Sequence, residues 1–452
     1  MTADLGSAAT IGLRKISEID RLLWTLGVLA VAAVAYVYGL KLNTPPIRSD
    51  GFGYQAFLTA FFIDHDLTFK TFAVRIFNGD VPTWTGITLY PETGNYLDKY
   101  PIGTALLQLP FFLLADRVTV LFGLNRSGLS PPYQIANVAS AIFYFLLGVR
   151  LIYSTLRDQF DGTIVRLTIL LFVFGTSAFH YATYDGSFSH IYSFALVAGF
   201  VKLSLQYSAA PKIGIAALGG AIFGLITITR IPNGIVGLIA FGIWIHVVLA
   251  TLPRVAPLRD GAMFMLCAAI AVTPQLLYWQ LVTGHPLIYS YGDEEYNWTD
   301  PQVMNFLFSI KKGLLFWSPA LVISLIGFFA MPSRLRVFGA CAFACMAIHV
   351  YLCSAWHSWS FGGGYGSRPF VDMMAILALP MAAGISFLAA HSSMFTARVI
   401  AAVLIGLNLI LMNGYWIGVI PFGGPTPSEF RNMPEKYFAV LTRRLHRRAN
   451  DR

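Results

Sequence analysis

Long runs of apolar residues recur along the whole chain, and their length predicts helices that cross a membrane. A helix needs about 20 residues to cross the roughly 30 Å hydrocarbon layer of a bilayer. The predicted spans are 22–42, 103–123, 134–154, 165–182, 188–206, 214–230, 234–252, 261–281, 314–331, 337–355, 370–390 and 397–420. The pattern therefore indicates an all-α polytopic protein with about 11–13 transmembrane helices.

Three connections between these spans are long, polar and rich in Tyr, Trp and Gly. They are residues 43–102, 283–313 and 356–370. The first contains two predicted amphipathic helices, "GYQAFLTAFFIDHD" and "TFAVRIFNGD". Because functional groups concentrate in such connections, we expect the three to form one site on one side of the membrane.

The number of spans conflicts with that expectation. Seven predicted spans separate 43–102 from 283–313, and an odd number puts the two connections on opposite sides. We expect a shared side, which requires one crossing fewer. The polar stretch 180–190 and the break "TRIPNG" at 229–234 are the candidates, because irregular backbone at membrane depth occurs where protein buries it.

Composition supports a membrane protein and gives no sign of nucleic-acid binding. The chain is 56% hydrophobic and 12% charged, whereas soluble domains carry about 25% charged residues. The net charge is +9, with Lys and Arg concentrated in loops and in the tail "RRLHRR". Basic residues at such places orient helices and contact anionic lipid. The four cysteines lie inside apolar runs, without metal-ligand or disulfide spacing, and are interpreted as apolar filler.

One carboxylate, Asp50, follows the first span directly in "IRSDGFGY". It is either a helix N-cap that binds free backbone amides or a general base that takes a proton from an attacking hydroxyl. The absence of side chains at Gly51 and Gly53 would let a substrate approach the backbone. Tyr54 lies one helical turn from Asp50 and could stack on a sugar ring.

The ordered set of motifs resembles membrane glycosyltransferases of the GT-C fold, in the bacterial branch related to protein mannosyltransferases and aminoarabinose transferases. It consists of "RSDGFGY", "KYPIGTALLQLPFF", "GSFSHIYSF", "TRIPNG", "KKGLLFWSPAL" and "GGGYGSRPFVDMMAILALP". The resemblance covers roughly residues 20–420. It implies a sugar donor on a polyprenyl phosphate, inversion at the anomeric carbon, and a catalytic aspartate at the position of Asp50.

The resemblance also divides the chain. It implies a cytoplasmic segment 1–21, a transmembrane glycosyltransferase domain 22–420 and a basic tail 421–452. Within the domain, residues 43–102 become the catalytic first extracytoplasmic loop.

One departure concerns metal binding. Some relatives carry a second acid directly after the aspartate, whereas Gly51 stands here. Asp64 and Asp66, with His65 between them, could hold a divalent cation together with Asp50, or could form a polar helix end. Arg and Lys stabilise a leaving phosphate without metal. We therefore expect no cofactor, with a divalent cation as the alternative.

Three basic residues are predicted to hold the donor phosphate: Arg368, Arg230 and Lys99. Arg368 ends a glycine-rich loop whose amides can also face an anion; otherwise it is an arginine that snorkels to the membrane surface. Arg230 lies inside an apolar run, where an ionisable residue indicates function by default, although a topology-setting loop arginine is an alternative. Lys311 and Lys312 are interpreted as interfacial anchors.

Further polar and aromatic residues of the connections are predicted to contact sugar. Histidine in such loops is also commonly structural, and loop glutamates are also commonly solvated. Together with Tyr54, the candidates are His190, Tyr291, Glu294, Glu295, His357 and Tyr365.

The sequence therefore predicts an inverting glycosyltransferase of the plasma membrane with its site facing the periplasm. Its substrates would be a polyprenyl-phosphate-linked sugar and a glycan, glycolipid or protein acceptor of the cell envelope. One alternative is a transporter or flippase of a lipid-linked glycan, which usually shows inverted repeats. Another is a different membrane transferase, such as an O-antigen ligase or acyltransferase. The sugar, the acceptor and the oligomeric state are not indicated.

Overall fold

The computed structural model is almost entirely helical and describes residues 17–41, 44–251 and 255–450. Most of the predicted segment 1–21 and the last two residues of the predicted tail 421–452 lie outside the described residues. The helices are α1 (Glu18–Leu40), α2 (Asp50–Phe62), α3 (Lys70–Phe77), α4 (Gly103–Leu121), α5 (Pro131–Arg157), α6 (Gly162–Phe174), α7 (Ala178–Thr183), α8 (His190–Ala209), α9 (Ile213–Thr229), α10 (Gly237–Thr251), α11 (Ala256–Thr283), α12 (Val303–Phe308), α13 (Leu314–Trp317), α14 (Leu321–Phe329), α15 (Arg336–Ala355), α16 (Ala378–His391), α17 (Met394–Trp416), α18 (Pro427–Arg431) and α19 (Met433–Asn450).

Shorter elements fill the connections. Strands β1 (Ile87–Tyr90) and β2 (Asn95–Asp98) pair antiparallel, with Ile87 opposite Asp98. Turns of 3₁₀-helix precede α10 and α16, at Ile231–Val236 and Arg368–Leu377. Eight helices of the described chain are long and apolar enough to cross a membrane, and α10, α15 and α16 are counted among them together with the 3₁₀ turn that precedes each.

The chain is not regularly helical where α9 leads into α10. Between α9 and the turn before α10, Arg230 is extended, with φ −153° and ψ 113°. Pro232 lies within that turn and has no N–H to donate to a helical bond. Such breaks are tolerated at membrane depth where protein covers them, and Asn233 in the same turn is fully buried. The break therefore turns polar groups toward the interior of the bundle.

Contacts between helix ends define two sides of the bundle. The start of α1 forms ion pairs with the end of α5 and the start of α6, through Asp20–Arg150 and Glu18–Arg166. The start of α5 lies at the other end of α1, because the backbone N–H of Ile47 donates to the side chain of Gln134. We call the side that contains Ile47 and Asp50 the site side.

Helix α4 begins and ends on the site side. Its first residue, Gly103, packs against the backbone of Ile228 at the end of α9. Its far end is held by Arg126, which bonds the carbonyl of Phe62 at the end of α2. Directly after it, Gly128 packs against Thr59, also in α2. Helix α5 then starts from the site side, so α4 lies along the first long connection, residues 43–102, and does not pass to the other side of the bundle.

This arrangement corrects the predicted span 103–123 and resolves the conflict in the span count. The stretches 180–190 and 229–234 were the wrong suspects, because each is a turn between two crossing segments that both reach the site side. Length and apolar composition alone do not distinguish α4 from a crossing helix. Apart from α4, eleven helical segments of the described chain run between the two sides of the bundle: α1, α5, α6 with α7, α8, α9, α10, α11, α13 with α14, α15, α16 and α17.

The three long connections consequently share the site side, as predicted. The first of them has its own apolar core. Phe57 of α2 packs edge-on against Phe69 and against Tyr278 of α11, with ring centroids 5.4 and 4.8 Å apart. Edge-to-face pairs of this kind are favoured by the charge distribution of aromatic rings. The loop is therefore a packed layer on top of the bundle.

The position of α4 predicts which residues share a side of the membrane. Single cysteines at Asp80 and Asn125, in a background with the four native cysteines changed to alanine, should react alike with a membrane-impermeant maleimide in intact cells. A cysteine at Lys212, between α8 and α9, should show the opposite accessibility. Labelling of Asn125 together with Lys212 would mean that α4 crosses the membrane.

Candidate active site

Asp50 is the first residue of α2, and its carboxylate binds side chains that face a cavity. Oδ1 accepts hydrogen bonds from the hydroxyls of Tyr100 and Ser49, both at 3.2 Å. Oδ2 lies 3.2 Å from Nη1 of Arg368. The described contacts at the start of α2 include no side-chain cap. The N-cap interpretation of Asp50 is therefore wrong for this geometry.

The ion pair with Arg368 determines the charge of Asp50. The two side chains are only 13% and 17% exposed. Burial raises the pKa of Asp50, but the charges of Arg368, His190 and Arg230 and the hydroxyl of Tyr100 outweigh burial, so the pKa lies below its ordinary value. Asp50 is therefore an anion at neutral pH and can accept a proton.

Gly51 and Gly53 allow close packing of the protein rather than approach of a substrate. A Cβ on Gly51 would lie 2.2 Å from Oγ of Ser187, and one on Gly53 would lie 2.4 Å from the ring of Tyr100. Both distances are shorter than atoms tolerate. The interpretation of these glycines as open backbone is corrected: their lack of side chains lets the first turn of α2 press against the bundle.

A cavity of about 250 Å³ opens beside Asp50. It is bounded by the first loop, the break after α9, the connection after α11 and the glycine-rich loop before Arg368. The predicted site residues that line it are Asp50, Tyr54, Lys99, Arg230, Tyr291, Glu294 and Arg368. The fold thus brings together residues that are up to 318 positions apart in the chain.

Arg230 stands on one wall of the cavity and is oriented by a buried acid. Its Nε lies 3.0 Å from Oδ2 of Asp372. The other oxygen of Asp372 is 2.9 Å from Nδ1 of His190, and Asn233 donates to Asp372 at 3.0 Å. Since a buried carboxylate with three partners is rigidly held, Asp372 fixes the guanidinium of Arg230 against the cavity.

Lys99 provides the third positive charge. It forms an ion pair with Glu294, and its Nζ lies 5.5 and 5.4 Å from the ring centres of Tyr100 and Tyr291. The pair joins the first loop to the connection after α11. Three cations thus face one cavity, with two acids among its lining residues.

Four predicted substrate contacts lie outside the cavity lining. His190 is fully buried behind the wall and bonds Asp372. Tyr365 is also fully buried, and its hydroxyl donates to Asn408 at 2.8 Å. Glu295 and His357 are exposed, and the backbone N–H of His357 donates to the carbonyl of Glu295. The aromatic and polar character of their loops suggested contact with substrate; burial keeps His190 and Tyr365 behind the wall, and contact of Glu295 and His357 with a substrate stays a prediction.

Asp64 and Asp66 lie at the far end of α2 from Asp50 and have other partners. Asp64 forms two bonds with Arg75, at 2.6 and 2.9 Å. Asp66 accepts from the backbone and hydroxyl groups of Thr68 and Thr71 at the start of α3. Within the described ranges, no group of three His, Cys, Asp or Glu side chains is close enough to hold a metal ion.

Several residues that shape the site were missed by the sequence analysis: Arg48, Tyr100, Asp185, Asn233 and Asp372. A signal existed for Asp372, which is an acid within the predicted span 370–390, where an ionisable group indicates function. Asp185 lies in the polar stretch 180–190, which drew attention only as a suspected error in the span count. Tyr100 lies in the motif "KYPIGTALLQLPFF", but only the folded loop brings its hydroxyl to Asp50.

Comparison with known proteins was made at the levels of sequence and structure. No protein-family model matches the sequence, and no curated protein matches it either. The structure is similar to ArnT from Cupriavidus metallidurans bound to undecaprenyl phosphate, with a TM-score of 0.52 and 16% identity over 87% of this chain and 65% of ArnT. It is also similar to the oligosaccharyltransferase of Archaeoglobus fulgidus in complex with Zn and sulfate, with a TM-score of 0.54 and 14% identity over 90% of this chain and 54% of that one.

The chain has the GT-C fold. This confirms the fold predicted from the motifs. At 16% and 14% identity, the similarity supports the fold and nothing further. The chain spans about two thirds of the length of ArnT and about half that of the oligosaccharyltransferase. In this GT-C protein the cavity beside Asp50 lies between the first loop and the ends of the crossing helices.

A second buried carboxyl group, Asp98, lies next to the site in strand β2. Its Oδ1 accepts from the backbone N–H of Tyr100 at 2.9 Å, and Oδ2 has no partner among the described residues. The side chain is fully buried. Burial raises the pKa of Asp98 well above its ordinary value. The raised pKa favours the protonated, neutral form of Asp98, in contrast to the nearby Asp50.

Asp98→Asn should raise the melting temperature at pH 7, because asparagine is a neutral isostere that takes up no proton on folding. The contribution of Asp98 to the stability of the wild type is fully present below its ordinary pKa of about 3.8. That contribution is lost as pH rises through the raised pKa of the folded state. The advantage of the variant should therefore shrink as pH falls from 7 toward 4, in thermal unfolding of purified protein. The matched control is the exposed Asp293, changed to Asn. A difference that does not vary with pH would show that Asp98 is ionised in the folded protein.

Proposed function

We propose that the protein is an inverting glycosyltransferase that moves a sugar from a polyprenyl-phosphate donor to an acceptor of the cell envelope. The observation that carries the proposal is the ionised Asp50 in a cavity that also presents Arg230, Arg368 and Lys99. A base and several fixed cations in one cavity suit a reaction that removes a proton and releases a phosphate. The GT-C fold, shared with a protein crystallised with undecaprenyl phosphate, supports the same chemistry.

The reaction is a single displacement at the anomeric carbon of the donor sugar. The acceptor hydroxyl oxygen forms the new bond to that carbon, and Asp50 takes its proton. The bond from the carbon to the phosphate oxygen breaks, and its electron pair leaves with the polyprenyl phosphate. Attack from the side opposite the phosphate inverts the configuration.

Arg368 pairs with the base, and Arg230 is placed to bind the phosphate of the leaving group. Arg230 pairs with Asp372 through Nε, and its two amino nitrogens suit bidentate binding of the phosphate. Arg368 pairs with Asp50 in the resting site. When Asp50 takes the proton, that pair loses its negative partner, and the charge of Arg368 becomes available to the phosphate. Negative charge is thus balanced at each stage of the transfer.

Aromatic rings around the cavity suit a sugar. Tyr54, Tyr291, Tyr296 and Trp356 line it, and such rings offer apolar faces to the CH groups of sugars. Glu294 can accept hydrogen bonds from sugar hydroxyls once Lys99 turns to the donor. The acceptor class is a glycan, a glycolipid or a protein.

The side opposite the site is assigned to the cytoplasm. The helix ends and short turns on that side carry many basic residues: Arg157, Arg166, Lys212, Arg259, Arg334 and Arg336. Basic residues in short connections favour the cytoplasmic side of a membrane. The site then faces the periplasm of an inner membrane, as we propose for a donor that is presented outside the cytoplasm. The Zn in the oligosaccharyltransferase structure leaves a divalent cation as an additional component to test.

Cells that carry Asp50→Asn should behave like cells that lack the protein. Mass spectrometry should detect accumulation of one polyprenyl-phosphate sugar and loss of one sugar residue from envelope glycans. Loss of a positioned general base lowers the rate by about 10²–10⁴-fold. Asp98→Asn, which changes a neighbouring buried acid whose pKa is raised, is the matched control and should restore the wild-type profile.

Asp50→Asn with a wild-type profile, at equal abundance and with a clear deletion phenotype, would remove the catalytic assignment. Accumulation of a lipid-linked glycan longer than one sugar in the deletion strain would favour a flippase instead.

A further inference from the structure

Two residues before Asp50, Arg48 lies in a polar network that the proposed reaction does not use. Its Nη2 bonds Oδ1 of Asp185 at 2.6 Å and the carbonyl of Tyr184 at 3.1 Å. Its Nη1 bonds the hydroxyl of Tyr38 at 3.2 Å and the carbonyl of Pro45 at 3.1 Å. Four of its contacts thus fix the guanidinium from α1, the first loop and the turn after α7.

The second oxygen of Asp185 contacts His180, whose tautomer is fixed by a further hydrogen bond. Nε2 of His180 lies 2.8 Å from Oδ2 of Asp185. Trp416, at the end of α17, donates its indole N–H to Nδ1 of His180 at 2.9 Å. Since indole nitrogen only donates, Nδ1 accepts and the ring proton is on Nε2, where it is donated to Asp185. His180 and Asp185 are both at most 1% exposed, so the chain of contacts is rigid.

Ser49, between Arg48 and Asp50, has an unusual backbone conformation. Its φ is 48° and its ψ is −131°, a combination that only glycine adopts without strain. Strained backbone persists only where the surrounding structure enforces it. Here the anchor on one side is Arg48, and on the other side the first turn of α2 is closed by bonds from the amides of Gly51 and Phe52 to Arg48 and Ser49.

We infer that Asp185 is a positioning residue, which keeps Asp50 in place by fixing Arg48 and thereby holding Ser49 in its strained conformation. Asp185 does not line the cavity, so it acts through Arg48 and not on the substrate. The inference deepens the proposed function and rests on it for its effect on transfer. The positioning itself is a structural property that can be measured without any activity.

The test compares Asp185→Asn with the double variant Ser49→Gly/Asp185→Asn in the full chain. In Asp185→Asn the anchor weakens, Ser49 relaxes, and Asp50 leaves its place. Glycine tolerates the required φ and ψ, so in the double variant nothing drives the turn to relax. Hydrogen–deuterium exchange of the amides of Gly51 and Phe52 should therefore rise in the single variant and return toward the wild-type rate in the double variant.

We expect the exchange rate of these amides to rise on the order of tenfold in Asp185→Asn. A tenfold change corresponds to a free energy in the lower part of the usual range for a strained backbone residue. In cells, accumulation of the polyprenyl-phosphate sugar should follow the same order, with the single variant defective and the double variant recovered. Asp260→Asn is the matched control. Asp260 is another buried aspartate beside an arginine, Arg259 at 3.3 Å, but on the opposite side of the bundle. It should leave exchange at Gly51 unchanged.

The outcomes separate the two proposals. Exchange that rises and is rescued by glycine, with no effect of any variant on the lipid-linked sugar, supports positioning and overturns the proposed function. Exchange at Gly51 and Phe52 that does not change in Asp185→Asn overturns positioning. A single variant whose exchange rises but is not rescued by Ser49→Gly also overturns it, because Asp185 would then support the fold in general.

Discussion

The ion pair between Asp50 and Arg368 is the interaction on which the rest of the site depends. It is almost buried, and a buried charge left without its partner costs about 3–5 kcal/mol. Two parts of the chain must meet to form this pair. The first turn of α2 must approach the bundle closely enough for contact, which requires Gly51 and Gly53. The glycine-rich loop must bring Arg368 to the same place from the other end of the chain.

The same requirement explains why charged residues occur where helices are interrupted. Irregular backbone within a membrane protein is stable only where other groups bind its polar atoms. Arg230 follows the end of α9, and Asp185 follows the end of α7. Each is paired, with Asp372 and Arg48 respectively. The breaks in the helices thus create places for charges, and the opposite charges stabilise the breaks. All of these paired charges lie on the site side of the bundle.

The fold and several charged residues of the cavity could be predicted from the sequence. Apolar length indicated the crossing helices, and the ordered motifs indicated the GT-C fold. Asp50, Arg230, Arg368 and Lys99 stood out because charges are rare in this chain. Helix α4 was predicted wrongly, since its apolar composition suits the packed loop as well as a lipid layer. Tyr365 and Glu295 were predicted to contact sugar but do not line the cavity, because only packing decides whether a loop side chain points into the cavity or away from it.

In the proposed mechanism one cavity holds both the base, Asp50, and a phosphate site that includes Arg230. Binding of polyprenyl phosphate, the leaving group, to purified protein in nanodiscs measures the phosphate site without the transfer reaction. Asp50→Asn should bind the lipid phosphate at least as tightly as wild type, because a negative charge is removed from the cavity. Arg230→Gln should bind it on the order of tenfold more weakly, as expected for loss of one charged hydrogen-bonding group. Equal affinity of wild type and Arg230→Gln would show that Arg230 does not hold the phosphate, and loss of binding in Asp50→Asn would show that Asp50 belongs to the phosphate site.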